Sequence, residues 1–125
     1  VTRDHLADDL RALQAAGRIR HWWLPGMLAV RTGSGSRWRA VDGTQERPGT
    51  GYQIAISDPA TVGCLMALLR EAVAPWSELP GARTDADVHG WLCWVQTGPF
   101  ASDACRAATE GEAIAVAIHA VREGS

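Results

Sequence analysis

Apolar positions recur along the chain in three helix-like sets separated by strand-like ones. Near the start, Leu6, Leu10 and Leu13 fall at i, i+4 and i+7, with Thr2 or Asp4 as a cap and Gly17 as a left-handed stop. Asp4, Asp8 and Asp9 occupy the first half of this helix, where its dipole favours negative charge, and Asp8-Asp9 reads as an exposed pair. After the Pro25-Gly26 turn signal, Met27 to Arg31 reads as a strand. Thr32-Gly33-Ser34-Gly35 reads as a turn, and Ser36 to Val41 as the return strand. Arg37, Trp38 and Arg39 alternate there, which puts the indole on one face and two guanidinium groups on the other.

Residues 42–51 are loop-like, with Gly43, Pro48, Gly49 and Gly51, and Tyr52 to Ile56 reads as a short strand. Asp58 as cap and Pro59 as first residue open a second helix, whose stripe is Val62, Leu65, Met66, Leu69 and Val73, up to Pro75. Residues 76–89 are polar, with Pro80, Gly81 and three acids, and read as a second flexible connection. Gly90 to Gln96 shows no polar alternation, the pattern of a strand covered on both faces. Thr109-Glu110-Gly111-Glu112 has capping-box spacing and opens a last helix, Ala113 to Glu123, striped by Ile114, Ile118 and Val121.

This order, α-β-β-(β)-α-β-α, predicts one domain over residues 1–125. Its fold class is an α+β or α/β layered sandwich, with a mostly antiparallel sheet of three to five strands and three helices. The segment Asp58-Pro59-Ala60-Thr61-Val62-Gly63-Cys64-Leu65-Met66-Ala67-Leu68-Leu69-Arg70-Glu71-Ala72 carries a resemblance, together with the Trp-rich stretch from Gly90 to Val95 and Thr109-Glu110-Gly111-Glu112-Ala113. These resemble small phage and prophage proteins, some of them grouped as phage α-β-α sandwich proteins. The resemblance spans roughly residues 55 to 123. It implies a layered domain encoded by a mobile element and transfers no catalytic residue.

Composition narrows the classes further. Hydrophobic residues make up 46% and charged residues 21%, the balance of a globular chain and not of a disordered one. No apolar run approaches the ~20 residues of a membrane-spanning helix, so no membrane partner is expected. Every basic residue is Arg, and neither Lys nor Asn occurs, which a GC-rich coding sequence explains most simply. Cys64, Cys93 and Cys105 have no C-x-x-C spacing and no His at ligand distance, so neither a zinc site nor any other metal or cofactor is expected. Free thiols in apolar runs suit a reducing cytoplasm.

The motifs of catalysis are missing. Gly33-Ser34-Gly35-Ser36 lacks the glycine spacing of a nucleophile elbow. Gly49-Thr50-Gly51 has Ile54 where a dinucleotide loop needs its third glycine, and a phosphate loop needs a lysine the chain does not have. His5, His21, His89 and His119 form no i, i+4 pair, and His119 reads as a boundary residue of the last helix. No enzymatic activity is expected.

Two features favour binding. Charge is segregated: residues 1–17 carry net −1, residues 18–47 net +4, and residues 48–125 net −5. Arg18, Arg20, Arg31, Arg37 and Arg39, with Trp22, Trp23 and Trp38, could form a partner-binding surface. An acidic protein surface is its first-choice partner and nucleic acid the second. The other feature is that the two later helices lack a polar half. Gly63, Ala67, Ile114 and Ile118 therefore become candidates for self-association as a homodimer, unless the monomer covers them. The resulting expectation is a non-enzymatic regulator or inhibitor of a host or phage macromolecule, such as an anti-defence protein. A nucleic-acid-binding accessory module and a small homodimeric assembly protein are the alternatives.

Overall fold

The computed structural model describes residues 5–31, 33–41, 52–76 and 81–123. The caps expected at Thr2 and Asp4, and the loop expected at 42–51, lie outside the described residues. Among the described residues, three α-helices and two three-stranded antiparallel sheets make an α+β fold, the class that the apolar pattern implies.

Helix α1 (Leu6–Ala15) buries Leu6, Leu10 and Leu13, and Gly17 (φ +75°) turns the chain out of it. The chain then runs back along helix α2 (Pro59–Val73). Arg18 donates to the Ala72 carbonyl near the C-terminus of α2, and the Leu28 N–H donates to Thr61 Oγ1 in its first turn at 2.8 Å. The first sheet has the order β2 (Arg37–Arg39), β1 (Leu28–Arg31), β3 (Tyr52–Ile54), with Ala29 opposite both Trp38 and Ile54. Trp38 therefore shares the core-facing side with Ala29 and Ile54, while Arg37 and Arg39 share the other, as the alternation demands.

The second sheet has the order β4 (Ala82–Asp87), β5 (Gly90–Gly98), β6 (Ala101–Ala107). Part of the stretch expected to be a flexible connection is thus a strand. In β4 the small residues Ala82, Thr84 and Ala86 take one face and Arg83, Asp85 and Asp87 the other, so half of a polar-looking segment faces inward. A two-residue turn at Val88-His89 joins β4 to β5. At the start of β5, Gly90 has φ +124°, and an added Cβ would stand 2.7 Å from the Ala107 carbonyl oxygen.

Helix α3 (Glu110–Glu123) lies over β5 and β6 beside α2. Its cap is the one the sequence spells, with the Glu112 N–H donating to Thr109 Oγ1 at 3.3 Å. Ile114, Ile118 and Val121 are wholly buried, each stabilising the fold by about 1.5–3 kcal/mol relative to exposure. Gly111 packs against the chain just before α2, so closely that a Cβ would fall 1.8 Å from the Ile56 carbonyl oxygen. Both helices lie on the same side of the second sheet. The double covering expected for β5 is therefore not found: Cys93 and Val95 face the helices and are buried, whereas Trp94 is 42% exposed.

Candidate functional site

The eight side chains expected to form one Arg/Trp surface are dispersed. Trp22 and Trp23 are buried and meet edge to face at 5.5 Å, and half-buried Trp38 leans on Trp23 at 5.2 Å. With one Phe and one Tyr in the chain, these indoles supply the aromatic bulk of the interior and are not available as anchors for a partner. The Trp23 Nε1–H is buried without a hydrogen-bond partner among the described residues.

The arginines are divided by what they bind. Arg18 donates Nε to the Ala72 carbonyl at 2.9 Å, and its Nη2 donates to the same oxygen. Its guanidinium lies 4.1 Å from the Trp76 ring, and burial pushes its pKa down. Arg20 sits beside Glu71, to which its backbone N–H donates at 3.1 Å. Arg39 donates to both oxygens of Asp58 and to the Gly26 carbonyl. The hydrogen bonds of Arg39, then those of Thr61, hold the Asp58 carboxyl below the usual carboxylate range despite some desolvation. Arg18 and Arg39 thus sit at opposite ends of α2, a helix about 20 Å long. Arg31 and Arg37 remain exposed and unbonded among the described residues, but on opposite faces of the hairpin.

The self-association set is likewise split. Ile114 and Ile118 have no exposed surface, because β5, β6, α2 and α1 surround α3. Gly63 and Ala67 face solvent on α2. These four residues share no surface, so the apolar helices are explained by covering within the monomer.

Another grouping joins distant parts of the sequence. Asp9, expected on an exposed face, is completely buried between α1 and α3. His119 Nδ1 lies 3.0 Å from one of its oxygens, and Arg122 donates to the other at 3.2 Å. A carboxylate that orients an imidazole is half of a proton-transfer relay, but no Ser, Thr or Cys hydroxyl or thiol is bonded to His119 among the described residues. The contact therefore docks α1 on α3. The described residues contain no group of three His, Cys, Asp or Glu side chains placed to hold a metal, and no helix long and apolar enough to cross a membrane.

What remains open is the outer face of the second sheet. Leu92 and Trp94 form its centre on β5, flanked by Arg83, Asp85 and Asp87 on β4 and by Ala104 and Arg106 on β6. Arg106 Nη1 and Asp87 Oδ2 are 2.7 Å apart, and this pairing draws the Asp87 carboxyl below its ordinary range. Val88 and Phe100 protrude at the two turns, 93% and 103% exposed. The signal for this face was the period-two alternation of Ala82 to Asp87, masked by its charged members. Compared with protein-family models, with curated proteins and with solved structures, the chain matches none.

Proposed function

We propose that the chain is a non-enzymatic binding protein that engages a protein partner through the outer face of the β4–β5–β6 sheet. The observation that carries this is Trp94, a large indole left 42% exposed at the middle of a central strand. Tryptophan is enriched among the residues that dominate protein interfaces, and a sheet face held rigid from behind costs little ordering on contact. The charged side chains around it, Arg83 and Arg106 against Asp85 and Asp87, cancel in sign. A nucleic acid needs a net positive track, so the chemistry fits a protein surface with an apolar centre and mixed charges at its rim.

The test is affinity capture from bacterial lysate with the wild type, Trp94→Ala and an Arg31→Glu, Arg37→Glu double variant, each checked for fold by circular dichroism. A protein held by the wild type should be lost with Trp94→Ala, its affinity falling about 30-fold or more. The hairpin double variant should retain it. Capture that survives Trp94→Ala and disappears with the hairpin variant would return the binding surface to the hairpin.

A further inference from the structure

We infer that β4 is a self-pairing edge: two copies join antiparallel, β4 to β4, about a two-fold axis at Thr84, and the two sheets become one of six strands. The sheet order leaves β4 outermost. The Gln96 N–H donates to the Gly81 carbonyl at 2.8 Å, and the register then alternates along the pair. Arg83, Asp85 and Asp87 therefore direct their backbone groups toward β5, and Ala82, Thr84 and Ala86 direct theirs away from it. Arg70 Nε reaches the Ala82 carbonyl at 3.1 Å, as an outward-facing acceptor allows. No other hydrogen bond reaches these outward groups among the described residues. The edge carries charged side chains, which oppose an arbitrary strand, but the six residues contain no Pro and their register with β5 has no bulge, so the backbone itself is open to pairing.

Side-chain charge selects a second copy as the occupant. With Thr84 opposite the partner's Thr84, Ala82 pairs with the partner's Ala86 and the outward backbone groups of both strands face one another. On the outer face, Arg83 then stands directly opposite the partner's Asp85, and Asp85 opposite the partner's Arg83. Sliding the register by two residues sets Arg83 against the partner's Arg83 or Asp85 against the partner's Asp85. The slide that opposes the two Asp85 residues also sets Arg83 against the partner's Asp87, a carboxylate Arg106 already holds, so the Thr84 register is the one that joins opposite charges and opposes no like charges. Within one chain Arg83 and Asp85 are only loosely associated, 3.8 Å apart with side chains 70% and 59% exposed, so both can turn to a partner. Pairing in this sense keeps both outer faces on the same side. The two Trp94 side chains then lie three strand spacings apart and two residues out of line, about 16 Å from one another, in one continuous platform.

The experiment is sedimentation equilibrium of the intact chain up to roughly 500 µM, a range suited to an edge contact that buries less than the ~1,000 Å² of a stable interface. The wild type should dimerise. Arg83→Asp alone and Asp85→Arg alone should each weaken the dimer about tenfold or more, and the two together should restore it, because the exchanged charges again oppose each other. Thr84→Pro should abolish the dimer while circular dichroism keeps the native spectrum, since the Thr84 N–H serves no bond to β5. A monomer throughout, a dimer insensitive to all these changes, or one lost in the single reversals and not regained in the double would overturn the inference. None of these outcomes depends on Trp94 or on capture of another protein, so the partner reading stands or falls separately.

Discussion

Arg39 and Asp58 meet across the seam between the first sheet and α2, with two guanidinium nitrogens each 3.1 Å from a carboxylate oxygen. The same carboxylate caps α2 by accepting the Thr61 N–H and the Thr61 hydroxyl proton, and that hydroxyl oxygen accepts the Leu28 N–H. One acid thus joins helix cap, hairpin and strand. It also draws inward a cation that the sequence had offered to a partner.

Replacing Asp58 by Ala should lower stability by about 1–2 kcal/mol in urea titrations, the range of a lost cap. Asp58→Asn keeps a capping oxygen and removes the charge pairing. The folded carboxyl titrates below its unfolded value, so its contribution is complete above the ordinary Asp range and is lost as pH falls through the folded value. The stability gap between wild type and Asp58→Asn should therefore hold constant from neutral pH down to the ordinary Asp range and narrow only below it. A gap independent of pH would remove the ion pair from the account.

Asp9 makes the polar tie of longest sequence separation among the described residues. Asp9→Ala takes a charged acceptor from both His119 and Arg122 and should cost about 1–3 kcal/mol. Asp8→Ala, on the exposed side of the same helix turn, should stay within about 0.5 kcal/mol of the wild type. Chemical denaturation of the two variants tests the contrast.

The two glycines Gly63 and Gly111 should respond to alanine with opposite signs. At Gly111 the new methyl collides with the Ile56 backbone, which cannot yield as a flexible side chain would, so a loss of about 3 kcal/mol or more is expected. At Gly63 no atom lies within 4 Å of the added methyl, and helix propensity should raise stability by about 0.5–1 kcal/mol. Melting temperatures of the two proteins provide the check.

Thiol chemistry should be nearly silent in the native state. Desolvation pushes Cys93 up to about 12 and Cys105 up to about 11, and raises the half-buried Cys64 as well. At pH 8 a disulfide reagent should react first and slowly with Cys64, and with all three thiols only after unfolding. Rapid native labelling of Cys93 would contradict the packed β5–α3 contact.

The helices were legible because their signals are local. Leu6, Leu10 and Leu13 repeat at helical spacing, Asp58-Pro59 and Thr109 open their helices by side-chain chemistry, and all three segments fold accordingly. Strand β4 was hidden because its inward residues are Ala82, Thr84 and Ala86, too small and weakly apolar to stand out beside Arg83, Asp85 and Asp87. β6 was hidden likewise, with Cys105 its one buried residue. The burial of Asp9 had no sequence signal, since its partners lie more than a hundred positions away on α3. Which tryptophans are interior was equally undetermined by pattern. Trp23 and Trp94 both occur in apolar runs, and only the placement of α2 and α3 on one side of the second sheet leaves Trp94 outside.

The arrangement of β4, β5, β6 and α3 has a kinetic consequence. From Ala82 to Glu123 each element packs on the one next to it in the chain, so this third closes through short loops. Docking of α1 must instead span almost the whole polypeptide. Refolding should therefore nucleate in the C-terminal third and finish with α1: Val95→Ala slows refolding, whereas Leu6→Ala hastens unfolding and leaves the refolding rate nearly unchanged.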